Sequence, residues 1–191
     1  DAEALRVALG AERWWVAGHS TGGVLAQHYL AHHTDRCLGA ILLCTYLPLE
    51  PGRFDDVVAR ATARAGDPRC DRAIEAFSTP VATDDEATKK LGELLPLYFH
   101  DVEAADRFMA ECDGLSCRVA AMVAEGETNL DRTAVEILPG IDLPVVIVAA
   151  SNDFVCSAPW NQQIHQLIPG SKFVFIENAG HFPWFEQPGQ F

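Results

Sequence analysis

The sequence predicts an α/β fold in which a mostly parallel sheet, with helices on both faces, carries an inserted all-helical cap. Short, continuously apolar runs are typical of strands buried in a parallel sheet, and these runs are residues 14–17, 39–47, 143–150 and 171–177. Segments with helical spacing alternate with these runs near both ends of the chain. The middle of the chain has amphipathic helical pieces and no strand-like run. The predicted domains are therefore a core of residues 1–49 and 139–191, and a cap of residues 50–138.

Three helices are predicted in the core, each with a start or stop signal. The first precedes Gly10, a residue suited to the position just after a helix. The second covers residues 21–33 and begins directly after the first strand. The third lies between the last two strands, with Ser157 as N-cap, Pro159 in the first turn and Gly170 beyond its end.

Length and composition exclude several classes of protein. The 191 residues suffice for one domain with an insertion. A net charge of −13, from 27 acidic and 14 basic residues, argues against a nucleic-acid partner. No apolar run approaches the roughly 20 residues of a membrane helix. The six cysteines form no Cys-x-x-Cys pair and no Cys/His metal spacing. We therefore predict reduced thiols in a cytoplasmic protein without metal or cofactor, and with neither a nucleic-acid nor a membrane partner.

The sequence GHSTGG, residues 18–23, lies where the first strand meets the second helix. A serine nucleophile needs a base, an orienting group for that base, and a position clear of the sheet. A tight strand–turn–helix bend exposes Ser20 in this way, and Gly18 and Gly22 leave room for its strained backbone, with Gly23 adding more. The N-terminus of the following helix directs N–H groups towards a developing oxyanion. The pattern predicts Ser20 as a nucleophile.

The partners of such a serine follow it in the order acid, then histidine. Asp153 comes directly after the third strand, in VVIVAASND, and His181 directly after the fourth, in IENAGHFPWFEQP. Loops at the carboxyl ends of parallel strands are where such sheets place their chemistry. Taken alone, Asp153 is better explained as a turn aspartate and His181 as a hydrogen-bonded loop histidine. Together with Ser20 they predict a catalytic triad.

The stretches GHSTGG, LPVVIVAASND and IPGSKFVFIENAGHFPWFEQPGQF resemble motifs of the α/β-hydrolases, in the grouping of proline iminopeptidases, haloperoxidases and C–C hydrolases. The resemblance extends over nearly the whole chain. It implies an α/β-hydrolase sheet with a helical cap inserted after the strand that ends near Tyr46. It also implies Ser20 as nucleophile, His181 as general base, Asp153 as orienting acid, and the N–H of Thr21 as one oxyanion donor.

These observations predict a serine hydrolase that cleaves a small, partly apolar ester or amide through an acyl-enzyme. The alternatives are a proline iminopeptidase proper, a C–C hydrolase, perhydrolase or acyl transferase with the same triad, and a non-catalytic ligand-binding protein. Some proline iminopeptidases carry a glutamate directly after the catalytic aspartate, where this chain has Phe154. This difference favours a general hydrolase. The remaining carboxylates that could bind an α-ammonium group are Glu111, Glu125 and Glu127.

Further candidates surround the predicted triad or lie on the second helix. The tentative pocket residues are His19, Tyr46, Trp160, Phe182 and Trp184. The aromatic ones either line a substrate pocket or close the hydrophobic core. His28 and His32 have a metal-ligand spacing, but Tyr29 stands where a zinc-protease helix would carry its glutamate. We interpret this pair as helix-surface histidines.

We also expect further polypeptide to complete the core, which would otherwise be partial. The strand at residues 14–17 normally lies inside such a sheet, yet one helix alone precedes it. The second oxyanion N–H comes from a loop after an earlier strand, and EQPGQF resembles the start of the family's final helix. The expectation is an N-terminal segment of roughly 70 to 100 residues, or a second chain that replaces it.

Overall fold

The computed structural model describes residues 1–48, 51–112, 116–121 and 133–191. In chain order, the described helices and strands are α1 (Ala2–Ala8), β1 (Trp14–His19), α2 (Thr21–His32), β2 (Cys37–Leu43), α3 (Arg53–Thr62), α4 (Pro68–Phe77), α5 (Asp84–Tyr98), α6 (Ala104–Glu111), α7 (Thr133–Ile137), β3 (Val145–Ala150), α8 (Ala158–Leu167), β4 (Lys172–Ile176) and α9 (Pro183–Glu186). Short 3₁₀ turns follow α2 and α7.

The four strands form one sheet with the order β1-β2-β3-β4. β1 and β2 are parallel, with Val16 opposite Ala40, and β2 and β3 are parallel, with Leu42 opposite Ile147. The predicted α/β fold class with a parallel sheet is confirmed.

Contacts along the chain divide it into two compact units. The first comprises Asp1–Glu50, Leu130–Ala149 and Cys156–Phe175, and the second Pro51–Asn129, Ala150–Val155 and Ile176–Phe191. The second unit thus contains most of the predicted cap, residues 51–129, together with the first part of the loop after β3, up to Val155, and the loop after β4. The boundaries predicted from the sequence for core and cap stay a prediction.

The first unit is held together by an apolar core on the sheet. α2 packs against β1 and β2, and the side chains of the core are Ala26, Tyr29, Leu30, Cys37, Ala40, Leu42, Leu47, Leu138, Ile141, Val145, Ile147, Ile164 and Ile168. Tyr29 also donates a hydrogen bond of 2.7 Å from its hydroxyl to Oε2 of Glu3, which attaches α1 to α2. Burial of aliphatic side chains at roughly 25 cal/mol per Å² is the main stabilising contribution here.

β1 differs from the fully buried strand that its apolar sequence predicted. Residues 14–17 alternate between partly buried and exposed, and the Trp15 side chain is 50% exposed. The reason is its position, because β1 is an edge strand among those that the structure describes. Beside it lies a cavity of about 300 Å³. Its lining residues include Trp14, Trp15, Gly22 and Leu25.

The second unit is formed largely by α3 to α6, and local signals in the sequence set where these helices begin. Asp67 caps α4 by accepting hydrogen bonds from the N–H groups of Arg69 and Cys70. Thr83 and Glu86 form a capping box at the start of α5. Two apolar clusters fill this unit, one around Leu97 and the other around Phe99. The helical composition predicted for this part of the chain is confirmed over its described residues.

Two further observations bear on the class of protein. No disulfide joins any two of the six cysteines, all of which lie in the described residues. Among the described residues, no helix combines the length and the apolar character that a bilayer crossing requires.

Candidate active site

Ser20 occupies a strained turn between the last residue of β1 and the first residue of α2. Its backbone has φ 57° and ψ −129°, a conformation that costs a residue other than glycine about 1–3 kcal/mol. Its N–H donates to the carbonyl of Leu43 at 3.0 Å, and its carbonyl accepts the N–H of Gly23 at 2.9 Å. Both backbone groups of Ser20 are therefore fixed by neighbouring elements of the first unit.

Two of the three glycines predicted to leave room at this turn have close neighbours. A Cβ at Gly18 would overlap the carbonyl of Gly22, and a Cβ at Gly23 would lie 2.5 Å from the Thr45 side chain. At Gly22, by contrast, no described atom outside the adjacent residues and the backbone of α2 lies within 4 Å of the position a Cβ would take. The predicted room is thus seen at Gly18 and Gly23, and the prediction is corrected for Gly22 alone.

Within the first unit, a cysteine side chain and the first residue of α2 are neighbours of Ser20. Its Oγ lies 4.0 Å from Sγ of Cys156, which is buried after β3. Thr21 begins α2, and its Oγ1 lies 3.4 Å from Oη of Tyr46. The N-terminal end of a helix is where backbone N–H groups and the helix dipole favour an anion.

Asp153 and His181 form a buried pair within the second unit. The distance from Nδ1 of His181 to Oδ2 of Asp153 is 2.7 Å, and the two residues are 3% and 1% exposed. The other carboxylate oxygen, Oδ1, accepts the N–H of Val155 at 3.0 Å. The loops that carry the pair are joined by a hydrogen bond of 2.8 Å from the N–H of Asn152 to the carbonyl of Ala179. The geometry can hold the imidazole in one tautomer and one orientation.

The end of α5 fixes the backbone of His181. The backbone N–H of His181 donates to the backbone carbonyl of Tyr98 at 2.6 Å, and a Cβ at Gly180 would overlap that same carbonyl. The rings of Tyr98 and Phe182 lie 5.4 and 5.3 Å from the imidazole, between centroids. Tyr98 was not among the residues predicted from the sequence. No local signal marks it, because its contact with His181 arises only when α5 meets the loop after β4.

The tentative pocket residues fall in both units. Phe182 stacks on Phe108 at 4.6 Å and contacts Trp184 at 5.6 Å, so both belong to the aromatic cluster of the second unit. Trp160 lies in α8 and His19 ends β1, both in the first unit and both half-buried. Their predicted contact with substrate stays a prediction.

The remaining candidates lie apart from these residues or outside the described chain. His28 and His32 lie on the same face of α2, with ring centroids 4.3 Å apart. Two imidazoles are fewer than the three or four protein ligands of a zinc site. Glu111 is exposed at the end of α6. Glu125 and Glu127 lie outside the described residues.

The comparison with known families agrees with this geometry. A family model described as "Alpha/beta hydrolase family" matches residues 1–191. The chain belongs to the alpha/beta hydrolase family. The family membership that the sequence motifs predicted is thereby confirmed.

Individual members of the alpha/beta hydrolase family show how far the likeness extends. A probable proline iminopeptidase from Leptolyngbya boryana is 28% identical over 95% of this chain and 64% of its own length. A pimeloyl-[acyl-carrier protein] methyl ester esterase from Neisseria meningitidis is 24% identical over 92% of this chain and 54% of its own length. The solved structure of an alpha/beta fold family hydrolase from Bacillus anthracis has a TM-score of 0.71 at 19% identity, over 100% of this chain and 68% of that chain. The chain thus spans between about half and two thirds of the curated relatives it matches.

Proposed function

We propose that this alpha/beta hydrolase is a serine hydrolase that cleaves a small, partly apolar ester or amide. Ser20 is the nucleophile, His181 the general base and Asp153 the group that orients the base. The observation that carries the proposal is the buried hydrogen bond of 2.7 Å between Asp153 and His181. A carboxylate and an imidazole buried together in loops after two strands are the arrangement that activates a serine hydroxyl.

The proposed mechanism assigns each proton. His181 donates its Nδ1–H to Asp153, which leaves the lone pair of Nε2 to accept the proton of the Ser20 hydroxyl. The Ser20 oxygen then attacks the substrate carbonyl, and the N–H of Thr21 at the start of α2 donates to the oxyanion. The imidazolium protonates the leaving group, and an acyl-serine forms. Water, deprotonated by the same imidazole, releases the acid and regenerates the enzyme.

Pre-steady-state hydrolysis of p-nitrophenyl acetate by the full-length protein tests this proposal. An acyl-enzyme mechanism predicts a burst of p-nitrophenol that approaches one equivalent of protein, followed by a slower steady state. Mass spectrometry of the quenched burst should find the acetyl group on Ser20. Acetylation of another residue, or hydrolysis without labelled protein, contradicts the assignment.

Because Phe154 stands where some proline iminopeptidases carry a glutamate, we expect that the protein is not a strict iminopeptidase. Its side chain is 2% exposed and packs in the apolar cluster around Leu97, so no carboxylate is available at this position for a substrate α-ammonium. We expect kcat/KM for a p-nitrophenyl ester to exceed that for Pro-β-naphthylamide by at least about a hundredfold, a difference of about 2.7 kcal/mol. Both substrates should be assayed in parallel. Comparable kcat/KM values would instead favour the activity named for the relative from Leptolyngbya boryana.

We also infer that further polypeptide pairs with the outer edge of β1, from the same protein or a second chain. The Trp15 and Leu25 side chains are 50% and 55% exposed beside this edge. Stable proteins usually cover an apolar sheet edge of this kind with further polypeptide. The same polypeptide would supply the second oxyanion N–H. Residues 1–191 prepared alone should then hydrolyse no more ester than their Ser20→Ala variant, whereas the full-length protein hydrolyses it. Equal turnover by both preparations contradicts this inference.

We also propose a cytoplasmic location, which agrees with the absence of any disulfide among the six cysteines.

A further inference from the structure

Ser20 is held by a buried hydrogen-bond network that the triad does not include. Its strained backbone needs support, because a φ of 57° is unfavourable for serine. Beyond its bonds to Leu43 and Gly23, the Ser20 carbonyl accepts a hydrogen bond of 2.7 Å from Oγ1 of Thr45. Thr45 is 0% exposed and lies in the loop after β2. A side-chain hydroxyl therefore fixes the peptide group of Ser20 itself.

Asn161 fixes Thr45 in turn. This residue of α8 is 0% exposed, and its Oδ1 accepts the N–H of Thr45 at 2.9 Å. Its Nδ2 donates to the carbonyl of Cys156 at 2.8 Å and to that of Ser157 at 3.1 Å. A buried amide is costly unless its polar atoms are bonded. Here the amide oxygen and the amide nitrogen of Asn161 both form hydrogen bonds, and these bonds connect the loop after β2 to the loop after β3.

The two loops that Asn161 connects also flank the Ser20 hydroxyl. The first reaches Ser20 through Thr45, and the second places Sγ of Cys156 4.0 Å from Oγ of Ser20. Thr45 also packs against Gly23, where a Cβ would lie 2.5 Å from its Oγ1. The network thus fixes the Ser20 peptide group through its carbonyl and positions a second neighbour near its hydroxyl.

We propose that Thr45 and Asn161 are positioning residues that hold the Ser20 hydroxyl in its reactive orientation. The proposal rests on Ser20 being the nucleophile. Without the Thr45 hydroxyl, the Ser20 carbonyl loses a buried donor and the turn can relax towards a less strained φ. A displacement of the reacting atom by about 1 Å lowers the rate by about a hundredfold. Substrate binding changes little, since neither side chain is exposed.

The test is the rate at which Ser20 is phosphonylated by a fluorophosphonate, together with kcat and KM for a p-nitrophenyl ester, in the full-length protein. In the probe reaction, the Ser20 oxygen bonds to phosphorus, fluoride leaves, and the base takes the proton. Thr45→Val keeps the shape and removes the hydroxyl. We expect phosphonylation and kcat to fall about tenfold to a hundredfold, with KM within about twofold of the original. Thr45→Ser restores the hydroxyl and should recover most of the rate.

A matched control separates positioning from general stability. Thr34 also donates a hydrogen bond of 2.7 Å, to the carbonyl of Leu30 at the end of α2. Thr34→Val should leave the rate unchanged. Because Thr45 and Asn161 belong to one network, the double variant Thr45→Val/Asn161→Ala should lose less rate than the product of the two single losses.

The outcomes distinguish a failure of the proposed positioning role from a failure of the proposed hydrolase function. Phosphonylation of folded Thr45→Val at the original rate overturns the positioning role. So does failure of both Thr45→Val and Thr45→Ala to fold while Thr45→Ser folds, since the hydroxyl then serves folding alone. Unchanged turnover and labelling in Ser20→Ala, by contrast, overturns the proposed function itself.

Discussion

Ser20→Ala is expected to abolish hydrolysis while leaving the fold unchanged. The substitution removes the Oγ that attacks the substrate, and loss of a triad serine lowers kcat by about 10⁴- to 10⁶-fold. Alanine has the same Cβ as serine, so the cost of φ 57° at this position is nearly the same. The backbone bonds from residue 20 to Leu43 and Gly23 do not involve the hydroxyl. Steady-state assays with p-nitrophenyl esters and thermal unfolding by circular dichroism measure the two effects.

The control for this variant is Ser78→Ala, at an exposed serine that follows α4. It should retain full turnover. If Ser20→Ala keeps more than about one hundredth of the original kcat, another group performs the attack and the nucleophile assignment is wrong. If it unfolds, the burst experiment with mass spectrometry still identifies the acylated residue in the unaltered protein.

Asp153→Asn is the second variant with a large expected effect, because it reverses the imidazole tautomer. The N–H of Val155 donates to Oδ1 of Asp153, so the single oxygen of an asparagine should take this position. The amide NH₂ then faces Nδ1 of His181 and donates to it. The proton of the imidazole moves to Nε2, which can no longer accept the serine proton. A loss of about 10⁴ in kcat is the magnitude associated with this change.

Nitrogen NMR of His181 and measurement of kcat test whether the tautomer change explains the loss. Nitrogen NMR of the His181 side chain should report protonation at Nδ1 in the original protein and at Nε2 in Asp153→Asn. Asp142→Asn, at an exposed aspartate before β3, is the matched control and should alter neither the spectrum nor kcat. A variant with full turnover and the original tautomer would show that Asp153 does not orient the base.

The sequence predicted the elements that depend on local patterns. The apolar runs and the GHSTGG turn gave β1 and α2 nearly to the residue. The second strand was predicted too long, since apolar Cys44 and Leu47 continue the run although the strand ends at Leu43. Cys44 has φ 42°, which breaks the extended backbone, and both side chains stay buried in the loop. Hydropathy reports burial and cannot tell a buried loop from a strand.

The part of the site that could not be predicted depends on contacts between distant segments. Thr45, Tyr98 and Asn161 resemble ordinary loop or helix residues in the sequence, and each forms a hydrogen bond with a residue far along the chain. Asp153 and His181 could be predicted because they follow strands directly, and parallel strands bring their carboxyl ends to one edge. Trp15 was predicted to be buried because its run is apolar, but sequence periodicity does not reveal which strand lies at an edge.

The close approach at Gly18 and Gly23 also limits how this protein can be changed by directed evolution. Any larger side chain at either position would overlap backbone or Thr45 atoms, so mutant libraries that randomise the serine turn would consist mainly of inactive members. The aromatic side chains of the second unit, such as Phe108 and Phe182, are only partly buried and can be exchanged at lower cost. Substitutions that keep the protein folded should therefore be recovered far more readily at those aromatic positions than at the two glycines.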